Sequence, residues 1–173
     1  QAELNKFITP LLGREFTLND DIIRWRIPVC YENEYAPDID DVSRSLKDST
    51  SEIIKQHTSV ALEVFMMGFL PAFPYLGLLP EVFDLPRRVE RRVHVPPRSI
   101  SVAARQTTIY TIDSPGGWHL IGQTPVDFYD PNRENPVLVK AGDKVSFFAI
   151  DSKDYPAVRR ALKADEYPLI MDC

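Results

Sequence analysis

Three short stretches of this chain concentrate side chains able to hold a small polar molecule. The first is Gly68-Phe69-Leu70-Pro71-Ala72-Phe73-Pro74-Tyr75-Leu76-Gly77, where aromatic rings and prolines lie between bounding glycines. Such a stiff apolar loop can wall a pocket with Phe73 and Tyr75, since binding sites are lined mainly by apolar and aromatic groups. It can equally pack as a plug closing one end of a barrel. The second is Arg105-Gln106-Thr107-Thr108-Ile109-Tyr110. Gln106 carries both a donor and an acceptor, and Thr107 and Tyr110 add hydroxyls, a set that suits the carbonyl and N–H of an amide or lactam. Cross-strand threonine pairing with Tyr110 packed on a sheet accounts for the same residues. The third is Ser114-Pro115-Gly116-Gly117-Trp118, followed by Ile121-Gly122-Gln123-Thr124-Pro125. Pro115-Gly116 fits the centre of a type II turn, whose second position needs positive φ. Consecutive N–H groups there could cradle an anion, or the turn could simply be anchored by a buried Trp118.

Other titratable residues offer less. His57 falls near an expected helix end, where a histidine caps or packs more often than it acts as a base. His94 and His119 have no acidic or cysteine neighbours at ligand spacing, and no metal site is expected. Arginines gather at Arg87, Arg88, Arg91, Arg92, Arg98 and Arg105. The 87–92 run reads as a solvated loop, while Arg98 and Arg105 are candidate anion contacts. The GxSxG, HExxH, Walker A and GxGxxG patterns are absent from the 173 residues, which removes the common nucleophile, zinc and nucleotide signatures.

The elements that must position these groups are short. Fifteen prolines against seven glycines point to many chain reversals rather than long helices. Residues 1–20 show no periodicity. A strand is expected from Ile22 to Val29, ended by Pro28, and a helix from Asp38 as N-cap with Ile39, Val42 and Leu46 on one stripe. Ser49-x-x-Glu52 has capping-box spacing ahead of a second helix. Further strands are expected at 61–67, 92–95, 100–104, 108–112, 119–124 and 144–150, and a last helix after Asp154. That succession predicts a mainly β sandwich or closed barrel with a few short peripheral helices.

The bulk properties agree with one globular domain: 44% hydrophobic and 26% charged residues sit in the ordinary range. A net charge of −5 argues against nucleic acid as a partner. No apolar run approaches the roughly 20 residues needed to span a bilayer, so no membrane partner is expected. Cys30 and Cys173 are isolated thiols, which fits a reducing cytoplasm. The first residues carry no secretory pattern, and a start at Gln1 hints at a trimmed product.

At the same three stretches, and at others around them, the chain resembles the family that joins the B-type subunit of 5-oxoprolinase, allophanate hydrolase subunit 1 and KipI. The matching motifs are IPVCYENEYAPDIDDV at 27–42, GFLPAFPYLGLLP at 68–80, PRR at 86–88, VPPRSI at 95–100, QTTIY at 106–110, SPGGWHLIGQTP at 114–125 and GDKVSF at 142–147. The resemblance implies a cyclophilin-like β-barrel over 21–173, with 1–20 the remnant of a missing N-terminal α/β domain. It implies a non-autonomous subunit of an ATP-dependent complex that opens 5-oxoproline to glutamate. Its partners would be a companion C-type subunit and an oxoprolinase A-type subunit. ATP would serve at the level of the complex, none being evident in this chain. The implied substrate site gathers Phe73, Tyr75, Gln106, Thr107, Tyr110, Ser114, Gly116, Gly117, Trp118 and Thr124. The alternative is a KipI-like regulator that binds and inhibits a sporulation histidine kinase, for which no catalytic site is needed.

The chain departs from the family pattern at several positions. Ala72, Leu78, Arg98 and Thr108 stand where glycines are usual, and Gln123 stands where arginine is expected. Side chains at glycine positions are expected to fill a pocket or alter a turn. Replacing arginine by glutamine removes a permanent cation and its forked donors.

Overall fold

The computed structural model describes residues 22–164 and 166–169; the 1–20 segment expected as a domain remnant lies outside the described residues. The strands are β1 (Arg24–Val29), β2 (Ala61–Met67), β3 (Pro74–Gly77), β4 (Arg92–Val95), β5 (Ser99–Ala103), β6 (Gln106–Ile109), β7 (Ser114–Gly116), β8 (His119–Gln123) and β9 (Lys144–Ala149). Three short helices accompany them: α1 (Ile39–Leu46), α2 (Thr50–Thr58) and α3 (Tyr155–Lys163). Seven strands form one sheet in the order β1-β9-β2-β3-β6-β5-β8, and β4 pairs with β7 in a second, two-stranded sheet. The large sheet curls into a half-barrel. Its end strands meet at one residue pair, where Cys30 N–H donates to the Gln123 carbonyl at 2.8 Å and Gln123 N–H returns the bond at 2.9 Å. The mainly β, barrel-type architecture with peripheral helices is therefore present.

Where elements differ from the sequence expectation, tertiary partners explain it. Pro28 does not end β1 but pairs within it, opposite Phe148; β1 lies at an end of the sheet, where a missing N–H is tolerated. The turn between β5 and β6 is the pair Ala104-Arg105, both left-handed at φ 48° and 59°. This is the backbone of a two-residue hairpin, for which Asn-Gly would be the usual signal. Here the loop containing Leu79–Leu85 holds the turn instead: Ala104 N–H donates to the Leu85 carbonyl at 2.7 Å and Arg105 N–H to the Phe83 carbonyl at 3.0 Å. Asp38 occupies the N-cap position of α1, its carbonyl accepting from Val42 N–H at 2.9 Å, but its carboxylate does not cap the helix and is engaged elsewhere. Ser49 does cap α2, its hydroxyl accepting from Glu52 N–H at 3.2 Å.

The main core packs the inward faces of the curled sheet around Ile27, Val29, Leu62, Val64, Ile100, Val102 and Val145, with Ile53 of α2 and Phe83 closing it. A histidine lies inside it. His57 is fully buried and stacks on Phe147 at 4.8 Å between centroids. The Thr107 hydroxyl donates to the Ser101 carbonyl at 2.9 Å, so toward His57 it can only accept, and Nε2–H is the donor across 3.2 Å. Nδ1 then accepts from the Tyr31 hydroxyl at 2.8 Å. Both ring nitrogens are satisfied only in this neutral tautomer, and burial lowers the pKa of His57 from 6.5 to about 3.

Below pH 6.5 the unfolded chain takes up a proton at His57 that the folded chain refuses until about pH 3. This residue's share of stability is therefore complete above 6.5 and erodes steadily down to about 3. We expect His57→Gln to flatten the acid limb of stability by about 1.4 kcal/mol per pH unit, measured by urea unfolding between about pH 4 and pH 7. An unchanged slope would show that the ring protonates in the native state.

Candidate functional site

The first and third motif stretches meet the end of the second in one concavity. A smaller hydrophobic cluster of Phe73, Val95, Tyr110 and Leu120, distinct from the main core, forms its base. Above it lies a cavity of about 270 Å³ lined by Phe69, Phe73, Tyr75, Tyr110, Pro115, Gly116, Gly117 and Trp118, with Arg87, Arg88 and Arg91 along one side. The rings form a continuous edge-to-face series. Phe73 contacts Phe69 at 5.4 Å, Tyr75 at 5.1 Å and Tyr110 at 5.2 Å, and Tyr75 passes the contact to Trp118 at 6.1 Å. Such pairs contribute about 0.5–1.5 kcal/mol each beyond their burial, enough to hold the wall without a ligand.

Backbone geometry explains how the loop makes this wall. Phe69 and Ala72 both have positive φ, 72° and 56°, so the chain folds back tightly and the Phe73 carbonyl accepts from Gly68 N–H at 3.0 Å. Ala72 stands at one of the family glycine positions, and Arg98, at another, has φ 71°. These departures keep the left-handed backbone that glycine would accept more easily. The stretch 74–77, read as loop from its prolines, is strand β3, with Tyr75 opposite Thr108 and Gly77 opposite Gln106. Thr108 fills its glycine position productively: it is buried and its hydroxyl donates to the Pro74 carbonyl at 2.6 Å.

The serine-proline-glycine-glycine corner is built differently from the expected type II turn. Gly116 does not have positive φ, and residues 114–116 form β7, Ser114 pairing with Val95 and Gly116 with Arg92. Glycine is required there by proximity: a Cβ on Gly116 would stand 2.2 Å from the Tyr110 Oη and 2.9 Å from Val95 Cγ2. The turn-based anion nest is thus not formed. The positive charge comes instead from the 87–92 run, which is no simple solvated loop.

Asp38 organises that run. Its carboxylate is 2% exposed and accepts from Arg88 Nη1 at 2.8 Å, from Arg92 Nη1 and Nη2 at 2.8 and 2.7 Å, and from Leu120 N–H at 2.7 Å. Arg88 N–H donates to the Gly117 carbonyl at 2.8 Å, and His119 Nε2–H donates to the Pro86 carbonyl at 2.9 Å. Arg88 is shared between Asp38 and the cavity lining, Arg92 bonds Asp38 outside that lining, and the exposed Arg87 and Arg91 line the cavity with no ion-pair partner among the described residues. The Arg87 guanidinium lies 5.5 Å from the Trp118 ring centroid, a cation–π distance. Burial, then Tyr75, pushes the Tyr110 phenol up, with Arg87 and Arg92 opposing, so Tyr110 remains a donor at neutral pH. Among the described residues its Oη has no hydrogen-bond partner.

Six of the sequence candidates line this cavity: Phe73, Tyr75, Tyr110, Gly116, Gly117 and Trp118. The others are placed elsewhere. Gln106 opens β6 opposite Ala103 and Gly77; Thr107 is committed to His57 and Ser101. The Ser114 hydroxyl is buried with no partner among the described residues. Thr124 accepts from Val126 N–H at 3.2 Å. Arg98 pairs with Asp127 at 3.4 Å, and Arg105 with Glu81 at 3.7 Å. Gln123, the departure from arginine, donates to the Pro97 carbonyl at 3.0 Å and accepts from Tyr155 at 3.3 Å, away from the cavity. Phe69, Pro115, Arg87, Arg88 and Arg91 line it without having been named as site candidates; Phe69 and Pro115 fall inside the marked stretches, while only their density in sequence pointed to the arginines. A larger cavity of about 780 Å³ lies against α3, lined by Asp127, Leu138, Arg159 and Tyr167 among others. It takes in none of the three stretches, and its Asp127 is already paired with Arg98 and Arg159. Among the described residues no cluster could hold a metal ion, and no helix is long and apolar enough to cross a membrane.

Comparison with known proteins gives this geometry a context. The family described as carboxyltransferase domain, subdomain C and D, matches residues 1–139. The B-type subunit of 5-oxoprolinase from Bacillus subtilis (strain 168) is 38% identical over 148 residues, covering 86% of this chain and 61% of that protein. The chain thus spans about three fifths of the length of this curated relative. A conserved uncharacterized protein from Pyrococcus horikoshii superposes with a TM-score of 0.73 at 39% identity, over 76% of this chain and 61% of that one. The urea amidolyase of K. lactis superposes with a TM-score of 0.78 over 97% of this chain and 12% of its own, at 16% identity, which shows the fold alone.

Removing the Asp38 carboxylate leaves two arginines without their counter-charge. We expect Asp38→Ala to cost about 3 kcal/mol, the low end for breaking a buried ion pair because both arginines are partly solvated. Urea unfolding measures it; a change below about 0.5 kcal/mol would show that the arginines need no anchor.

Proposed function

Because the chain belongs to the carboxyltransferase subdomain C and D family, we propose that it works as a subunit of a 5-oxoprolinase-type complex, which opens a lactam with ATP. The observation that carries this reading is the convergence of Phe73, Tyr75, Tyr110, Gly116 and Trp118 around one small cavity. These residues come from three of the motifs by which the chain resembles the 5-oxoprolinase B-type subunits, and relatives of that name support the assignment.

A lactam carbonyl is a poor electrophile until its oxygen is phosphorylated, so the reaction needs a nucleotide site and a hydrolytic site. In this proposal the chain supplies neither. A cavity of about 270 Å³ suits a metabolite-sized group, and the nucleotide is assigned to the complex's other subunits. What the chain's own residues contribute is a water-poor seat. The aromatic wall excludes solvent, Tyr110 offers an O–H donor whose proton burial retains, and the β7 corner sets the Gly116 backbone against the Tyr110 hydroxyl. Orientation by such a seat lowers the barrier without any covalent role for it.

Reconstitution with a companion C-type subunit and an oxoprolinase A-type subunit tests this, following ATP-dependent glutamate release from 5-oxoproline. Turnover is expected only when all are present, and Trp118→Ala should reduce it about tenfold or more with the assembly's size unchanged. No turnover by the complete assembly, or capture of a histidine kinase in place of those subunits, would overturn the proposal.

A further inference from the structure

Large apolar side chains left in water collect at one end of this molecule. Of the eight that are exposed among the described residues, six lie on the two segments bordering the aromatic cavity: Phe65, Met66, Phe69 and Leu78 on one, Val89 and Val93 on the other. The first four form an apolar lip. A register shift between Val64 and Met66 interrupts the alternation of β2, so two consecutive large side chains face water where a regular strand would bury one. The Phe65 ring crosses the backbone of Gly77, where a Cβ would stand 2.5 Å from its Cε2, next in sequence to Leu78. Met66 Cε lies 3.7 Å from the place of a Gly68 Cβ, beside Phe69. These four residues are between 47% and 65% exposed, and no charged residue occurs between Glu63 and Glu81. The other lip is cationic. Arg87, Arg88, Arg91 and Arg92 outnumber Glu90 and the buried Asp38, and the fully exposed Val89 stands among them.

We propose that a second, different protein docks on this end, with a face that is apolar opposite Phe65, Met66, Phe69 and Leu78 and acidic opposite Arg87 and Arg91. A small ligand in the cavity leaves Phe65, Met66 and Leu78 uncovered, because none of them lines it. An uncharged centre rich in large side chains, with charges at its margin, is the make-up of a protein interface. Apolar surface of this kind seldom stays open on a monomer. A second copy of this chain is the poorer occupant, since its matching face would set one cation excess against another. An anionic bilayer would supply the missing negative charge, but the chain's own net charge of −5 opposes that approach. The inference rests on reading the chain as a subunit of an assembly, and it adds the surface through which the chain joins.

The companion C-type subunit serves as the probe, and titration calorimetry reads its affinity for the full chain. Phe65→Ser/Leu78→Ser should weaken the complex about tenfold or more. Val89→Asp, at a side chain wholly in water where folding is not at stake, should weaken it as well. Val137→Ser, at an exposed apolar residue away from the cavity, should leave affinity unchanged. Arg87→Glu should slow association, because rim charges act mainly on the encounter rate. Absence of a complex, full affinity in both the Phe65/Leu78 and Val89 variants, or an equal loss in Val137→Ser would overturn the proposal. So would a dimer of the chain alone that Phe65→Ser/Leu78→Ser dissolves, or binding to phosphatidylserine vesicles lost in the same variant. An association rate indifferent to Arg87→Glu would overturn the acidic assignment. Affinity is read between two chains and turnover on the whole assembly. A docked but idle assembly therefore counts against the proposed activity alone, and an active assembly indifferent to these variants counts against the docking face alone.

Discussion

A buried carboxylate between two arginines holds the functional end of this molecule together. Asp38 sits at the entry to α1, yet its bonds go to the 87–92 loop and to β8. Taking a charge out of water is expensive, and it is tolerated only where several donors replace the lost hydration. Three arginine nitrogens and one backbone N–H do so here. The price is recovered as geometry: a helix entrance, a loop of cations and a strand of the barrel are tied to one point. The Arg92–Gly116 and Val95–Ser114 pairings then set β7 beside that loop. Without the carboxylate, two neighbouring guanidinium groups would repel, and the β7 corner would lose its reference.

The aromatic wall depends on the same frame from the other side. Tyr110 leaves β6, turns past Ser99, to whose carbonyl its N–H donates at 2.9 Å, and reaches the Gly116 backbone so closely that no Cβ fits between them. Phe73 touches Tyr110 and Tyr75 at once. A change in any one ring is therefore transmitted to the others, as in any close-packed interior. The cavity is small because its walls are covalently distant but sterically interlocked.

Much of this was legible in the residues. The apolar run at 61–67 and the short strand candidates at 92–95 and 144–150 marked β2, β4 and β9, and Ser49-x-x-Glu52 placed the start of α2, because these signals are local. The motif stretches that met at the cavity were marked by composition, since aromatic, proline and glycine residues in such density are uncommon in solvated loops. What could not be read locally was set by distant partners. Nothing in Ala104-Arg105 announces a hairpin turn; the loop at 79–85 imposes it. Nothing near Asp38 says that its side chain will ignore its helix for arginines fifty residues on. Gln106 and Thr107 carried the right functional groups for an amide, yet strand pleating decides which way a side chain faces, and Thr107 faces the core and His57. The pocket-side arginines were obscured by their own abundance.

The strand order carries a consequence for how the molecule is made. β9 lies between β1 and β2, paired parallel with the former and antiparallel with the latter, Arg24 standing opposite Lys144. As the chain leaves the ribosome, β3, β6 and β8 each find a partner already synthesised, in β2, β5 and β5 respectively, whereas β1 has no lateral neighbour in register until the segment through Ala149 emerges. For that interval Trp25, Ile27 and Val29 belong to an unsatisfied edge, the kind of surface that chaperones bind and that aggregation exploits. Completion of the half-barrel is thus a late, long-range insertion event, slow by its topology rather than by any single residue.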